Sequence, residues 1–159
     1  MTTSFIEHAS PLGTLLVAAS ERGLCGLYFE QHKYFDGPRQ WRRDPDHPQL
    51  RRAALQLDEY FDGRRTAFDL PLDLQGTPFQ RAVWQELQAL PFAATASYQE
   101  IARRIAKPDA MRATGTAIGR NPVSIIVPCH RVLGASGALS GYAGGLERKR
   151  FLLGLETGR

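Results

Sequence analysis

Cysteine is scarce in this sequence, which contains only Cys25 and Cys129 among its 159 residues. Small secreted scaffolds that are stabilised by disulfides carry several cysteines at short spacings. Two cysteines that lie this far apart along the chain do not fit that class of protein. We therefore expect no structural disulfide.

Long apolar runs are missing as well. No stretch approaches the ~20 apolar residues that span a bilayer, and the first residues, MTTSFIEHASPLG, show no basic segment leading into an apolar one. With 43% hydrophobic and 23% charged residues, the composition is typical of a folded soluble protein. We expect no membrane association and a cytoplasmic location.

Metal-ligand spacing is a third absence. The sequence contains no C-x-x-C or H-x-x-x-H pair, and the histidines of the first half are scattered at His8, His32 and His47. A structural zinc normally uses four Cys or His ligands at short spacings. We therefore expect no metal site.

Acidic residues become sparse in the second half of the chain. Residues 1–75 contain nine Lys or Arg and eleven Asp or Glu, whereas residues 76–159 contain eleven and five. A net charge of −2 thus precedes a net charge of +6. A basic surface attracts a polyanion such as DNA because binding releases condensed counterions, although a solvated basic surface without a partner has the same charge count.

The first 75 residues predict an α/β domain that contains an antiparallel hairpin. Two apolar runs flank Glu21-Arg22-Gly23, which is a hairpin pattern. Cys25 lies within the second run, where a small buried side chain is expected. Residues 50–61 repeat apolar side chains at helical spacing and predict a helix.

From residue 76 the sequence predicts a mainly helical domain. Thr77-Pro78-Phe79-Gln80 and Ser97-Tyr98-Gln99-Glu100 both have the pattern of a capping box, so each predicts the start of a helix. After a break at Lys107-Pro108, a further helix is predicted over 109–118. Two short helices in a basic region suggest a helix-turn-helix, although helical hairpins also occur in proteins that never contact DNA.

The helix predicted over 109–118 carries short side chains at intervals of three and four residues. These are Ala110, Ala113, Thr114 and Ala117, beside Arg112. Such a face can pack closely against a neighbouring helix. Alternatively, it lets the helix backbone enter a groove of DNA while Arg112 extends past it.

The second cysteine stands in the segment IIVPCHRV, residues 125–132. Residues 123–127 predict a strand that buries the approach to Cys129. Burial raises the pKa of a thiol and makes it inert, so His130 and Arg131 are the groups expected to offset this effect.

Two interpretations of Cys129 remain open from these residues. A lone cysteine is usually a small buried core residue. The ionisable groups that follow it, together with the Gly- and Ser-rich segment GASGALSGYAGG at 134–145, instead favour a nucleophile beside a pocket. The two interpretations are about equally supported at this point.

The segment around Cys129 resembles the active-site signature of the O6-alkylguanine-DNA alkyltransferases, also called methylated-DNA-protein-cysteine methyltransferases. The matching residues are Asn121-Pro122, Pro128-Cys129-His130-Arg131-Val132, Ser140-Gly141-Tyr142 and Gly144-Gly145. The similarity covers about residues 76 to 156 and includes TPFQRAVW and SYQEIA. The first 75 residues resemble the family only in length and in the SPLG segment.

The resemblance implies direct reversal of DNA damage. The alkyl group of O6-alkylguanine, and less readily of O4-alkylthymine, would move irreversibly to Cys129, once per molecule and without a cofactor. His130 matches the histidine that acts as a base through a bound water, and Glu156 matches the glutamate that orients it. Tyr98 matches the tyrosine that holds the flipped nucleotide and gives a proton to the departing guanine. Asn121 matches the asparagine that ties the active-site segment together.

The implied partner is double-stranded DNA that contains alkylated guanine, bound through its minor groove by a monomer. Arg112 matches the arginine that replaces the flipped base in the stack. Ala113 and Thr114, with Tyr98, are expected to contact DNA from the recognition helix. The substrate pocket is assigned to Pro128, Ser136, Ser140, Tyr142 and Ala143.

The resemblance also implies a fold for each half. Residues 1–75 would form a ribonuclease-H-like α/β domain, and residues 76–159 a mainly α domain with a winged helix-turn-helix. Some relatives hold zinc in the first domain through paired Cys and His. Here Phe5 stands where a ligand cysteine would be needed, so no metal is implied.

Two functions of other classes compete with repair. A non-catalytic sensor of alkylated bases would lack the acceptor cysteine, and relatives of that kind usually have tryptophan there. A cysteine hydrolase would need an oxyanion hole, and the sequence contains no nucleophile-elbow pattern.

Overall fold

The structure is a computed structural model, and it describes residues 2–158. A sheet packed against one helix forms the N-terminal half, and four helices dominate the C-terminal half. The strands are β1 (Ser4–Ser10), β2 (Gly13–Ala19), β3 (Leu24–Tyr28), β4 (Arg42–Arg43), β5 (Ala96–Ser97) and β6 (Val132–Leu133). The helices are α1 (Pro48–Phe61), α2 (Pro78–Gln88), α3 (Tyr98–Arg104), α4 (Met111–Gly119) and α5 (Leu146–Thr157).

The larger sheet has the strand order β3-β2-β1-β4. β2 pairs with β1 and with β3 in antiparallel orientation, whereas β4 runs parallel to β1. The hairpin predicted around Glu21-Arg22-Gly23 is confirmed as the β2–β3 connection. Gly13, the first residue of β2, has φ +95°, a backbone conformation that glycine adopts without steric cost.

The apolar stripe of α1 lies against this sheet. Leu50, Ala53 and Leu57 are fully buried, and Tyr60 is 1% exposed. The helix predicted over 50–61 is confirmed and begins two residues earlier, at Pro48, where proline suits the first helical position because its missing N–H leaves no bond unmade.

Both capping boxes of the C-terminal half form. Thr77 accepts a hydrogen bond from the Gln80 backbone at the start of α2, and Ser97 accepts one from the Glu100 backbone at the start of α3. The helix after Lys107-Pro108 begins at Met111 and not at residue 109. No helix of residues 2–158 is both long and apolar enough to cross a bilayer.

The strand predicted over 123–127 does not form. Only Val123 pairs, in a single bridge to Leu27, and residues 124–126 make a turn in which Ile125 has φ +71°. That conformation is strained for a β-branched residue. Two hydrogen bonds of Asn121 hold this turn: its Nδ2 donates to the Val127 carbonyl at 2.7 Å, and its Oδ1 accepts from the Val123 N–H at 3.0 Å.

The two halves share one apolar core. The Leu27 N–H in β3 donates to the Pro122 carbonyl at 2.8 Å, so the sheet edge is bonded directly to the segment that leads to Cys129. Cys25, the neighbour of β3 residue Leu24, is only half-buried. Cys25 does not belong to the buried core cluster, so the expected core position is not met.

Candidate active site

Cys129 begins a short 3-10 turn, Cys129–Arg131, between the Asn121-bonded turn and β6. Its side chain is 5% exposed, and it lines an open cavity of about 410 Å³. That volume lies in the range of small-molecule sites in proteins. Four residues assigned from the sequence line the same cavity with Cys129, namely Tyr98, Arg112, Tyr142 and Ala143.

The Cys129 thiol is protonated at rest. Burial raises its pKa to about 11, although the Asn121 side chain, the Lys149 ammonium charge and the Tyr142 hydroxyl act in the opposite direction. A buried thiol of this kind reacts only when a base removes its proton as the substrate is attacked.

The base available is His130, which is fully buried one residue away. Its Nε2 lies 2.7 Å from Glu156 Oε2. Burial lowers the pKa of His130 despite the opposing carboxylate, so the imidazole is neutral at pH 7. Its Nδ1 has no hydrogen-bond partner among the described residues, and this nitrogen can accept a proton.

Glu156 is ionised and tightly held. Burial would raise its pKa, but hydrogen bonds from His130 and Arg131 outweigh that effect and hold the pKa well below its usual range. The Arg131 guanidinium donates from Nε to Oε1 at 2.8 Å and from Nη2 to Oε2 at 3.0 Å. Such a bidentate pair fixes the plane of the carboxylate.

Contrary to the expectation from the sequence, His130 and Arg131 do not offset the effect of burial on the pKa of the thiol, because both side chains bond Glu156. Lys149, which sequence reasoning missed, supplies the positive charge. Its side chain is fully buried, and its Nζ donates to the Ser140 carbonyl at 2.8 Å. Burial lowers the pKa of Lys149 to about 8. The available signal was helical spacing, since Lys149, Leu152 and Glu156 share one face of α5.

The pocket loop contains only some of the residues assigned to it. Ser140 is not at the cavity wall but donates from Oγ to Tyr98 Oη at 3.1 Å, so it orients the phenol. Ser136 is exposed in a second 3-10 turn, away from Cys129. Pro128 lines a separate cavity of about 590 Å³ on the other side of the segment. Ser136 and Pro128 therefore do not line the cavity at Cys129 in this structure, and their assignment to the substrate pocket stays a prediction.

Helix α4 has one face exposed to solvent and one face packed against the protein interior. Arg112 and Ala113 are exposed, whereas Thr114 and Ala117 face the interior. The Ala117 carbonyl accepts a hydrogen bond from Trp84 Nε1 at 2.8 Å, which fastens α4 to α2. Thr114 is 0% exposed. Its assignment as a DNA contact is wrong, because the helix turns it toward the core, and Ala113 alone of the two remains available.

Within the described residues, no group of three or more His, Cys, Asp or Glu side chains is arranged to hold a metal ion.

The chain is similar to known proteins over both of its halves. A model of the 6-O-methylguanine DNA methyltransferase DNA-binding domain matches residues 78–158, and a model of the ribonuclease-like domain of the same proteins matches residues 3–74. The chain belongs to the 6-O-methylguanine DNA methyltransferase family. The resemblance seen around Cys129 is thereby confirmed, and it extends to the N-terminal half.

Relatives in this family match nearly the whole chain. The methylated-DNA–protein-cysteine methyltransferase of Mycolicibacterium paratuberculosis is 48% identical over 147 residues, which cover 92% of this chain and 88% of the relative. That of Methanosarcina barkeri is 47% identical over 148 residues and covers 92% of each chain. A crystal structure of Mycobacterium tuberculosis OGT in complex with DNA is 45% identical, with a TM-score of 0.89, and covers 99% of this chain and 94% of that one.

This methyltransferase family member thus has two domains. A sheet-containing N-terminal domain and a helical C-terminal domain meet near Cys129, and the cavity at the thiol lies where they meet.

Proposed function

We propose that this protein repairs DNA by transferring the alkyl group of O6-alkylguanine, and less readily of O4-alkylthymine, to Cys129. One observation carries the proposal: the only thiol in the C-terminal domain lies in a cavity that it shares with Tyr98 and with Arg112 of α4. A base inside a duplex is inaccessible to such a buried sulfur. The nucleotide must therefore be flipped into the cavity.

The transfer forms one bond and breaks one. The Cys129 sulfur attacks the alkyl carbon, the S–C bond forms, and the C–O bond breaks with its electron pair going to guanine. One proton leaves the thiol, and one proton reaches the guanine. The thioether product is stable, so each molecule reacts once.

Two side chains handle these protons. His130 accepts the thiol proton through a bridging water at Nδ1, since Nε2 is engaged with Glu156. Tyr98 gives its phenolic proton to the departing guanine and is reprotonated from solvent, while the Ser140 hydroxyl orients it. Glu156 stabilises the imidazolium that forms, as the third member of a triad does.

DNA is bound through the exposed face of α4. Arg112 and Ala113 enter the minor groove, and Arg112 occupies the gap that the flipped base leaves. Helices α3 and α4 with the small β5–β6 sheet correspond to a winged helix-turn-helix, and residues 1–75 to a ribonuclease-H-like domain joined at residue 76. The protein acts as a monomer in the cytoplasm.

A damage sensor without chemistry is the second candidate. Cys129 at the cavity argues against it, because a sensor has no use for a nucleophile. Asn121, which holds the turn before Cys129 by two hydrogen bonds, serves to place that sulfur and supports a reactive site.

The test is a single-turnover reaction with a duplex that contains one O6-methylguanine, followed by intact mass and peptide mapping. We expect one added methyl group per protein, on Cys129. Cys25→Ser is the matched control and should accept the methyl group normally, whereas Cys129→Ala should accept none. Tight binding of the damaged duplex without any mass change would favour the sensor.

A further inference from the structure

The N-terminal domain reaches the reaction centre through Tyr60. This residue ends the buried face of α1, and its hydroxyl donates to Glu156 Oε2 at 2.6 Å, between positions 96 residues apart in the chain. Tyr60 is 1% exposed and Glu156 is 5% exposed. A hydrogen bond to a charged acceptor that is shielded from water is stronger than one between neutral groups.

The same carboxylate oxygen serves three donors. Oε2 is bonded by Tyr60 Oη, by His130 Nε2 at 2.7 Å and by Arg131 Nη2 at 3.0 Å. Oε1 accepts from Arg131 Nε and from the Ala93 N–H at 3.2 Å. Tyr60 is therefore in direct competition with the imidazole for the charge on Oε2.

The position of the Tyr60 hydroxyl is set by aromatic packing. The ring of Tyr60 meets those of Phe61 and Phe68 at centroid distances of 5.4 Å each and that of Phe92 at 6.3 Å. Phe61 and Phe68 belong to the N-terminal part of the chain, and Phe92 follows α2. A phenylalanine at position 60 would keep these contacts and remove only the oxygen.

We propose that Tyr60 is a positioning residue for the alkyl transfer, and that its hydrogen bond to Glu156 keeps His130 neutral and ready to accept the thiol proton. This inference rests on the proposed function. A donor that stabilises the carboxylate reduces the attraction between Glu156 and a protonated imidazole. Without that donor, Oε2 attracts the Nε2–H more strongly, and His130 retains its proton to higher pH.

Every charged group around His130 bears on this balance. Glu156 and Lys149 face it from α5, Arg131 follows it in the chain, and Tyr60 approaches from α1 through the carboxylate. Lys149 and Arg131 oppose protonation of the imidazole, and only Glu156 favours it. Tyr60 thus acts on the single group that would hold the imidazolium.

The experiment compares Tyr60→Phe with the unmodified protein by the rate of alkyl transfer from free O6-benzylguanine between about pH 5 and about pH 8. The acidic limb of the profile should move up by about 0.5 to 1 pH unit, so that the rate at a fixed pH on that limb falls about three- to tenfold. On the plateau, the rate should stay within about threefold. Tyr28→Phe is the matched control, since it removes a phenolic oxygen from the same domain without touching Glu156, and its profile should not move.

A second measurement keeps the test independent of folding. Site-specific 3-fluorotyrosine at position 60 is a more acidic phenol and a stronger donor, so it should move the same limb down. The imidazole resonance of His130, assigned by its loss in His130→Gln, should titrate at higher pH in Tyr60→Phe.

The possible outcomes distinguish a failure of the proposed function from a failure of the inference about Tyr60. If the unmodified protein transfers no alkyl group, the proposed function is wrong. If it does, and Tyr60→Phe has either an unchanged profile or an equal loss of rate at every pH, then Tyr60 is only a structural anchor and the inference is overturned.

Discussion

The two domains of this protein contribute to the site in opposite ways. The helical domain contains the proposed nucleophile, its proposed base and the helix that we propose faces DNA, and these residues are grouped in recognisable motifs. The sheet domain carries a net negative charge and no such motif, yet it supplies a donor to Glu156 and a wall of the cavity. The residues proposed to take part in the reaction thus lie in short sequence motifs, whereas the residues that position them or shape the cavity come from a domain that has no such motif.

The wall comes from the loop after β3. The Lys33 N–H donates to the Ala143 carbonyl at 2.9 Å, which ties this loop to the pocket loop. Tyr34 lines the cavity, and the Arg120 guanidinium lies 4.3 Å from the centroid of its ring. Such cation–π contacts are favourable, so the loop is anchored to the end of α4. The size of the cavity at Cys129 therefore depends on both domains.

The largest expected effect tests whether DNA is bound by the helical domain alone. Arg112→Ala should slow repair in duplex DNA by roughly tenfold to hundredfold, because the cost of unstacking a base is no longer offset. The reaction with free O6-benzylguanine should change by less than about threefold, since no base is flipped. Single-turnover rates with both substrates check this. Arg64→Ala, an exposed arginine of the sheet domain, should alter neither rate, and equal losses with both substrates for Arg112→Ala would remove its role in base flipping.

A smaller effect is expected on the pH dependence of the free energy of unfolding, and it comes from His32 in the sheet domain. His32 accepts a hydrogen bond from the Phe29 N–H at 3.1 Å, and burial, aided by the Arg148 charge, lowers its pKa to about 4. Between pH 6.5 and pH 4 the unfolded chain binds a proton at His32 that the folded protein does not, so stability is lost as the pH falls below 6.5. From there to about pH 5 the loss through His32 should be about 2 kcal/mol.

Urea denaturation at several pH values measures this slope. His32→Asn keeps an acceptor near the Phe29 N–H but cannot titrate, so the pH dependence of its free energy of unfolding should be flatter than that of the unmodified protein. An identical slope in the two proteins would show that His32 titrates normally in the folded state.

The smallest expected effect tests how α4 is divided between its two environments. Thr114→Val should leave the duplex repair rate unchanged, because Thr114 is fully buried. Its Oγ1 has no hydrogen-bond partner among the described residues, so replacing the hydroxyl by a methyl group should change the free energy of unfolding by less than about 1 kcal/mol. Thermal unfolding and the single-turnover rate are the two measurements. A selective loss of duplex repair would restore Thr114 to the DNA-binding surface.

Much of the fold could be predicted because its signals are short-range. The capping boxes at Thr77 and Ser97 and the β2–β3 hairpin depend on hydrogen bonds between residues a few positions apart. The prediction of a strand over 123–127 from its composition was wrong. Its apolar composition is typical of a strand, but Asn121 bonds its two ends and forces a turn instead.

The site could be predicted only as far as its motif extends. Cys129, His130 and Asn121 lie within ten residues of one another, and Glu156 was matched by resemblance. Lys149 was missed because a lysine on a helix is ordinarily solvated, and Thr114 was misassigned because a small residue suits both faces of α4.

Helices and hairpins could be predicted from the residues alone, because they depend on side-chain periodicity and on neighbouring backbone groups, whereas the choice of Cys129 as the candidate nucleophile came from the resemblance of its segment to a known family. The folded structure was needed to show that Tyr60 and His130 share one oxygen of Glu156, that the Lys149 charge acts on the sulfur, and that a loop of the sheet domain forms a wall of the cavity. Those contacts join residues far apart in the chain. They exist because the packing of two domains around a common core brings them together, and no local pattern records that packing.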